Sequence, residues 1–364
     1  MTTTMIAIGT KKGLWIATSG NGRDFTLGEP HFLNQEVASV AIDSRGPQPR
    51  ILAGLNDWHW GPTVVHSDDF GATWSEPEDG AIAFPADTGA ALERVWHLRP
   101  DTPERPGVIW AGCEPTSVWK STDGGESFEL NRGLWDHPHR PEWGAGFGGA
   151  AVHTIVPHST DAGTVHVAMS TGGVYRTHDG GSTWQARNRG ISAGFLPAEE
   201  PEFGQCVHRI TADSTNPDRL YAQNHGGVYR SDDGGDHWAD IASGLPSDFG
   251  FTFLPHPHRA DTAWTLPLEA DIQRIPPGGR LSLYRTTDAG STWTEQHRGL
   301  PDHEYNVVLR DAADVDVPDP EGPACLYLGT RGGEVHTSSD EGGSFHQVAS
   351  RLPDILSLRA GSVR

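Results

Sequence analysis

The side chains best able to do chemistry in this sequence are histidines, glutamates, arginines and tryptophans gathered in glycine- and proline-rich stretches. His97, His153 and His208 follow one another at nearly equal intervals. His153 and His208 hold matching places at the start of successive strands, where the preceding repeat has Trp96 with His97 beside it, so two or three imidazoles could share one space and hold a divalent metal. The alternative is a stack of hydrogen-bonded structural histidines, and no His-x-His or His-Glu-x-x-His spacing accompanies them. Glu202 and Glu269, with Glu114 as a third, supply carboxylates. Two carboxylates about 5–10 Å apart can act as acid and base in glycoside cleavage. The expected catalytic set is therefore Glu202, Glu269, His208 and His153, and the expected metal set is His97, His153 and His208.

Around these stand groups suited to holding a ligand. Trp60 and Trp143 could stack on a sugar or serve as loop anchors. Arg140 and Arg331 could grip a carboxylate or phosphate through paired N–H donors. Glu114, Asn224, His225 and Tyr305 complete the candidate binding set. Each glutamate could instead cap a loop or pair with Arg94, Arg140 or Arg274, and Tyr305 could be a wall. Cys206 precedes His208, but nothing else in the sequence suggests a Cys–His nucleophile.

Such dispersed residues can meet only if a repeating scaffold positions them, and one is present. The pattern Ser/Thr-x-Asp-x-Gly-x-x-Trp/Phe occurs as Ser67-Asp-Asp-Phe-Gly-Ala-Thr-Trp74 and Ser121-Thr-Asp-Gly-Gly-Glu-Ser-Phe128. It returns as Thr177-His-Asp-Gly-Gly-Ser-Thr-Trp184 and Ser231-Asp-Asp-Gly-Gly-Asp-His-Trp238. Thr286-Thr-Asp-Ala-Gly-Ser-Thr-Trp293 and Ser338-Ser-Asp-Glu-Gly-Gly-Ser-Phe345 follow. A degenerate copy, Thr18-Ser-Gly-Asn-Gly-Arg-Asp-Phe25, lacks the Asp. The motif is a hairpin turn: Asp accepts backbone N–H groups, Gly supplies a positive φ, and the aromatic opens the next strand. Its aspartates are structural on this reading.

The flanks repeat as well. Short strands precede each motif, as in His153-Thr-Ile-Val156, Val165-His-Val-Ala-Met169 and Gly173-Val-Tyr-Arg176. Four strands, A to D, in a repeat of about 50 residues describe one propeller blade. The chain begins inside a unit, with Met5-Ile-Ala-Ile-Gly9 as B and Gly13-Leu-Trp-Ile-Ala17 as C. The missing A strand is supplied by the C-terminal run Leu352-Pro-Asp-Ile-Leu-Ser-Leu-Arg359. The fold class is all-β: residues 1–364 form one seven-bladed β-propeller whose ring is closed by the C-terminal strand, with no open edge. The D–A and B–C connections share one face, and the long His-, Trp- and Glu-bearing loops are nearly all of these two kinds. A polar, aromatic pocket is expected there, on the face opposite the Asp motifs.

The motifs, blade size and ring closure resemble the BNR/Asp-box propellers, a superfamily that includes sialidases, xyloglucanases, sortilin-type receptors and a photosystem assembly factor. The nearest resemblance is to bacterial proteins described as exo-alpha-sialidase-like or BNR-repeat glycosyl hydrolases. Sialidases carry an N-terminal Arg-Ile-Pro that opens an arginine triad. Here Arg274-Ile-Pro276 lies between the fourth and fifth complete motifs, and the N-terminal blade has no matching arginine, so sialidase activity is not expected. The same resemblance would make Tyr305 a nucleophile of the sialidase kind.

Composition narrows the function. A formal net charge of -21 disfavours nucleic acid as a partner. Three scattered cysteines fit neither a disulfide framework nor a CxxC metal site. No run of 18 apolar residues suits a membrane span, and the N-terminal residues lack a secretory pattern, which makes the cytoplasm the expected location. The expectation is an enzyme, a hydrolase or lyase acting on a small polar, glycoside-like molecule, with a divalent metal as the conceivable cofactor. The competing expectation is a scaffold that binds a protein or glycan partner on the same face.

Overall fold

The computed structural model describes residues 3–363 apart from 47, 78–79, 199, 271 and 320. Short apolar runs such as Thr3–Thr10 and Val165–Met169 are buried on both faces because sheets stack against sheets. The strands form five separate sheets and one of eight strands in which two units are joined. The first strands of the units are Ile355–Val363, Glu36–Asp43, Arg94–Pro100, Val152–Pro157, Val207–Ala212, Phe249–Pro255 and Val308–Asp316. Each packs against the next, and the last returns to the first, so these strands line a central channel. In the second unit the fourth strand shrinks to one bridge between His66 and Ser75. The ring closes as the sequence implies: Ile355–Val363 runs antiparallel to Thr3–Thr10, with Ile8 opposite Leu358.

The turn motifs explain why the sheets end where they do. Ser121 Oγ accepts the Gly125 N–H at 2.8 Å, and Asp123 accepts the Ser127 N–H and hydroxyl at 3.1 and 2.6 Å. The degenerate copy is offset by one residue from the pattern in the sequence. Ser19, not Thr18, supplies the hydroxyl, and Asn21 replaces the Asp by accepting the Asp24 N–H at 2.8 Å. Three of the four closing tryptophans latch their sheet to its predecessor: Trp184 donates to Asn131 Oδ1, Trp238 to the Arg187 carbonyl and Trp293 to the Ile241 carbonyl, each at 2.9 Å.

The seam carries a titratable device. Burial, reinforced by Asp314, pushes the Asp316 carboxyl up to about 7, while Tyr327 and Ser362 donate to it. A carboxyl raised in the fold keeps a proton that the unfolded chain has lost above pH of about 4. Stability should therefore fall as pH rises from about 4 to 7. Asp316→Asn removes that slope, so its melting temperature should exceed the parent's more at pH 8 than at pH 5; equal differences at both pH values would refute the assignment.

Candidate functional site

At the loop-rich end the pairing of the first and second strands slips. Shifts fall between Val95 and His97, Val152 and Thr154, Val207 and Arg209, and Gly250 and Phe253. The extra residues are Trp96, His153, His208 and the pair Phe251–Thr252. A bulge re-aims its side chain out of the regular alternation. The repeat thus places matching groups at one channel mouth, and the match of His153, His208 and Trp96 has a backbone cause.

Two arginines complete this mouth. The Arg310 guanidinium, from the seventh unit, lies 5.3 Å from the Trp96 ring and 5.6 Å from Phe251. Arg274 lies 5.5 Å from the same Phe251 ring and 5.0 Å from Phe147. Arg310 Nε donates to the His208 carbonyl at 3.1 Å. Burial, with Arg209 and Arg274 nearby, lowers Arg310 to about 10, so it remains a cation at neutral pH. Burial and then Arg310 lower His208 to about 3 and hold His153 well below its ordinary value. Both imidazoles are neutral at working pH. His208 Nδ1 lies 2.7 Å from the Gly250 carbonyl, and its ring packs against His225 and Phe251.

The remaining candidates divide by what already engages them. Among the described residues, the three groups whose ligand atoms approach one another are Cys206, His208 and His225, within 4.8 Å. The expected set of His97, His153 and His208 does not close in this way. His97 Nδ1 instead meets Asp311 at 3.1 Å, and His153 Nδ1 lies 3.3 Å from Thr154 Oγ1. Glu114 accepts from Trp96 Nε1 at 2.9 Å and from the Ala150 N–H at 3.3 Å. A Cβ on Gly149, whose φ is +123°, would collide with that carboxylate, so the glycine lets the loop close over it. Trp143 is buried and donates to Tyr175 Oη at 3.0 Å. Asn224 is buried and donates to the carbonyls of Ser192 and Gly226. The Trp143 Nε1–H and the Asn224 amide N–H groups are thus engaged by the fold, while the buried Asn224 Oδ1 has no hydrogen-bond partner.

Glu269 is half-buried at the neck of the Arg274 loop, where the Arg274 N–H reaches the Glu269 carbonyl. Glu202 is exposed, and its carbonyl accepts from Asn188. Arg140 stacks 3.5 Å from the Trp135 ring, and Arg331 pairs with Asp354 at 2.6 Å on the closing segment. Trp60 is 85% exposed beside a cavity of about 470 Å³ that Gln35, Asp57 and Glu76 also line. Tyr305 is exposed and lies over Gly279. Sequence reasoning did not select Arg274, Arg310, Phe147 or Phe251 as ligand groups. Phe249-Gly-Phe-Thr-Phe253, with its alternating aromatics, was the available signal.

Deeper in the channel, Asp311 accepts from Arg209 and Arg359 and faces His97. Burial acts to raise its carboxyl, but Arg359, His97 and Arg209 hold it well below the usual range. The other channel end opens into a cavity of about 530 Å³ lined by Arg45, Arg99, Arg209 and Arg359 with Asp101 and Asp314. It lies where the first strands finish, on the face of the Asp motifs, so the space available to ligands is not confined to the loop-rich face.

No family model matches the chain. A xyloglucanase from Hypocrea jecorina (strain QM6a) is 26% identical over 297 residues, which is 72% of this chain and 32% of that protein. The Niastella koreensis GH74 enzyme superposes with a TM-score of 0.65 at 14% identity, over 94% of this chain and 51% of that one. YCF48 bound to a D1 peptide superposes with a TM-score of 0.52 at 16% identity, over 88% and 85%. The chain therefore spans about a third of the xyloglucanase and half of the GH74 enzyme. It is similar in sequence to part of a xyloglucanase, and it shares the β-propeller fold of GH74 enzymes and of YCF48.

Proposed function

We propose that the chain is an Asp-box propeller enzyme of the glycoside-hydrolase kind, acting at the loop-rich mouth on a saccharide that bears a carboxylate. The observation that carries this reading is the pair of guanidiniums, Arg274 and Arg310, over the one ring of Phe251 at 5.5 and 5.6 Å. Two such cations among aromatic walls offer charge-assisted bonds to an acid group and apolar faces to a sugar. Neutral His153 and His208 offer hydrogen bonds without adding charge. Glu269, on the Arg274 loop, is the favoured acid or base, and Glu202 is the second carboxylate. The xyloglucanase likeness supports saccharide chemistry, and the arginines favour an acidic sugar over a neutral one.

The test offers uronate-containing oligosaccharides, their methyl esters and neutral xyloglucan oligosaccharides, with products followed by chromatography. Free acids should be cleaved at least about tenfold faster than esters, the worth of one bond to a charged group. Preferential cleavage of xyloglucan would sink the acidic specificity and keep the glycosidase. Cleavage of none would sink the enzyme.

A second reading rests on a different observation. Trp58, Trp60, Phe147, Phe195, Ile272 and Tyr305 are exposed, and all lie in D–A or B–C loops. Apolar groups collected on one face mark interaction surfaces, and this would suit a protein partner. That reading gains if no saccharide is bound or cleaved.

A further inference from the structure

The fifth unit gathers three metal-ligating side chains at its loop-rich end. Cys206 immediately precedes the strand Val207–Ala212, His208 is the bulged residue of that strand, and His225 follows the paired strand Leu220–Asn224. The His225 N–H donates to the Cys206 carbonyl at 3.0 Å, which ties the two loop ends together. We propose that Cys206, His208 and His225 form a zinc-class metal site with three protein ligands and a fourth position open to the loop-rich mouth.

The ligand atoms lie within 4.8 Å of one another. Around tetrahedral zinc, Zn–S of about 2.3 Å and Zn–N of about 2.0 Å put ligands roughly 3.5 Å apart. Small shifts of the half-buried Cys206 and His225 at their loop ends would close that gap. His208 is already oriented: its Nδ1–H donates to the Gly250 carbonyl at 2.7 Å, which leaves the Nε2 lone pair for a metal. One thiolate with two imidazoles selects zinc or its surrogates over magnesium and calcium. Three protein ligands with an open position is the pattern of catalytic rather than structural zinc. The site does not depend on the acidic-saccharide reading, because metal binding is measured without any glycan.

Cobalt(II) added to the purified, metal-stripped full chain should bind at one equivalent and show a thiolate-to-cobalt charge-transfer band. Zinc should displace it. The band should vanish in Cys206→Ser, and cobalt affinity should fall at least about tenfold in His225→Gln. Cys325→Ser should leave both unchanged. Thermal melts of each variant would show that the fold is retained. Absence of a band in the parent chain, or its survival in Cys206→Ser, overturns the proposal.

Discussion

Replacing Asp311 with alanine is expected to destabilise the propeller by about 3–5 kcal/mol, the usual cost of stripping the anion from a buried ion cluster. Asp311 Oδ1 meets Arg209 at 2.5 Å and Arg359 at 2.6 Å, while Oδ2 meets His97 Nδ1 at 3.1 Å. Arg209 belongs to the fifth unit, Arg359 to the closing strand and His97 to the third. One carboxylate therefore joins four first strands across the channel. Without it two guanidiniums face each other with no central anion. Asp311→Asn keeps the volume and loses the charge, so it should fall between the parent and Asp311→Ala. Urea unfolding followed by tryptophan fluorescence at neutral pH measures both. The pH dependence has a definite sign. A carboxyl held below its ordinary value stabilises the fold above pH of about 4, and that contribution is lost as pH falls further. The acid limb of stability should be flatter in Asp311→Ala than in the parent. A loss under about 1 kcal/mol would mean that the cluster merely occupies the channel.

That cluster was not legible in the sequence, and the reason is physical. Asp311 and His97 come from units far apart in the chain, so no local spacing relates them. The turn motif is the opposite case: Ser121, Asp123, Gly125 and Ser127 satisfy one another within a few residues, and a one-dimensional pattern suffices. Ring closure was legible for a related reason, since a strand missing at one end of a repeat reappears at the other. Bulges fall between these extremes. His153 and His208 occupy matching places in the sequence, but the slip that re-aims them is a property of the strand pair. Trp143 and Asn224 have the types of ligand-binding residues. Their partners, Tyr175 and the Ser192 carbonyl, are set by how long loops fold back, and residue type does not record that. The degenerate first motif was displaced by one residue because Thr18 and Ser19 are both plausible hydroxyls, and only the Asn21 bonds decide between them.

The second large effect is expected at Arg310. If an acidic saccharide binds at the mouth, Arg310→Ala should weaken it about 10- to 100-fold, the range for a lost bond to a charged group. Arg310→Lys should recover part of this, because it restores charge without the planar pair of donors. Arg310 also donates to the His208 carbonyl, so its removal could act through the strand rather than the ligand. Arg274→Ala separates the two causes. Arg274 reaches the same Phe251 ring from a connecting loop outside the first strands, and its loss should weaken the acid comparably while leaving that strand intact. A neutral oligosaccharide of equal length should bind the parent and both variants within about threefold, since aromatic contacts discriminate weakly compared with buried charged bonds. The pH profile follows from the state of Arg310. With its guanidinium lowered only to about 10, its charge is constant from pH 5 to 8. Affinity should therefore stay level over that range and fall only as the carboxylate of the ligand protonates, near pH 3–4. Isothermal titration with an inert uronate oligosaccharide reads all of these quantities. Equal binding of acidic and neutral ligands, unchanged in Arg310→Ala, would remove the arginine pair from recognition and leave the exposed aromatic loops as the stronger candidate surface.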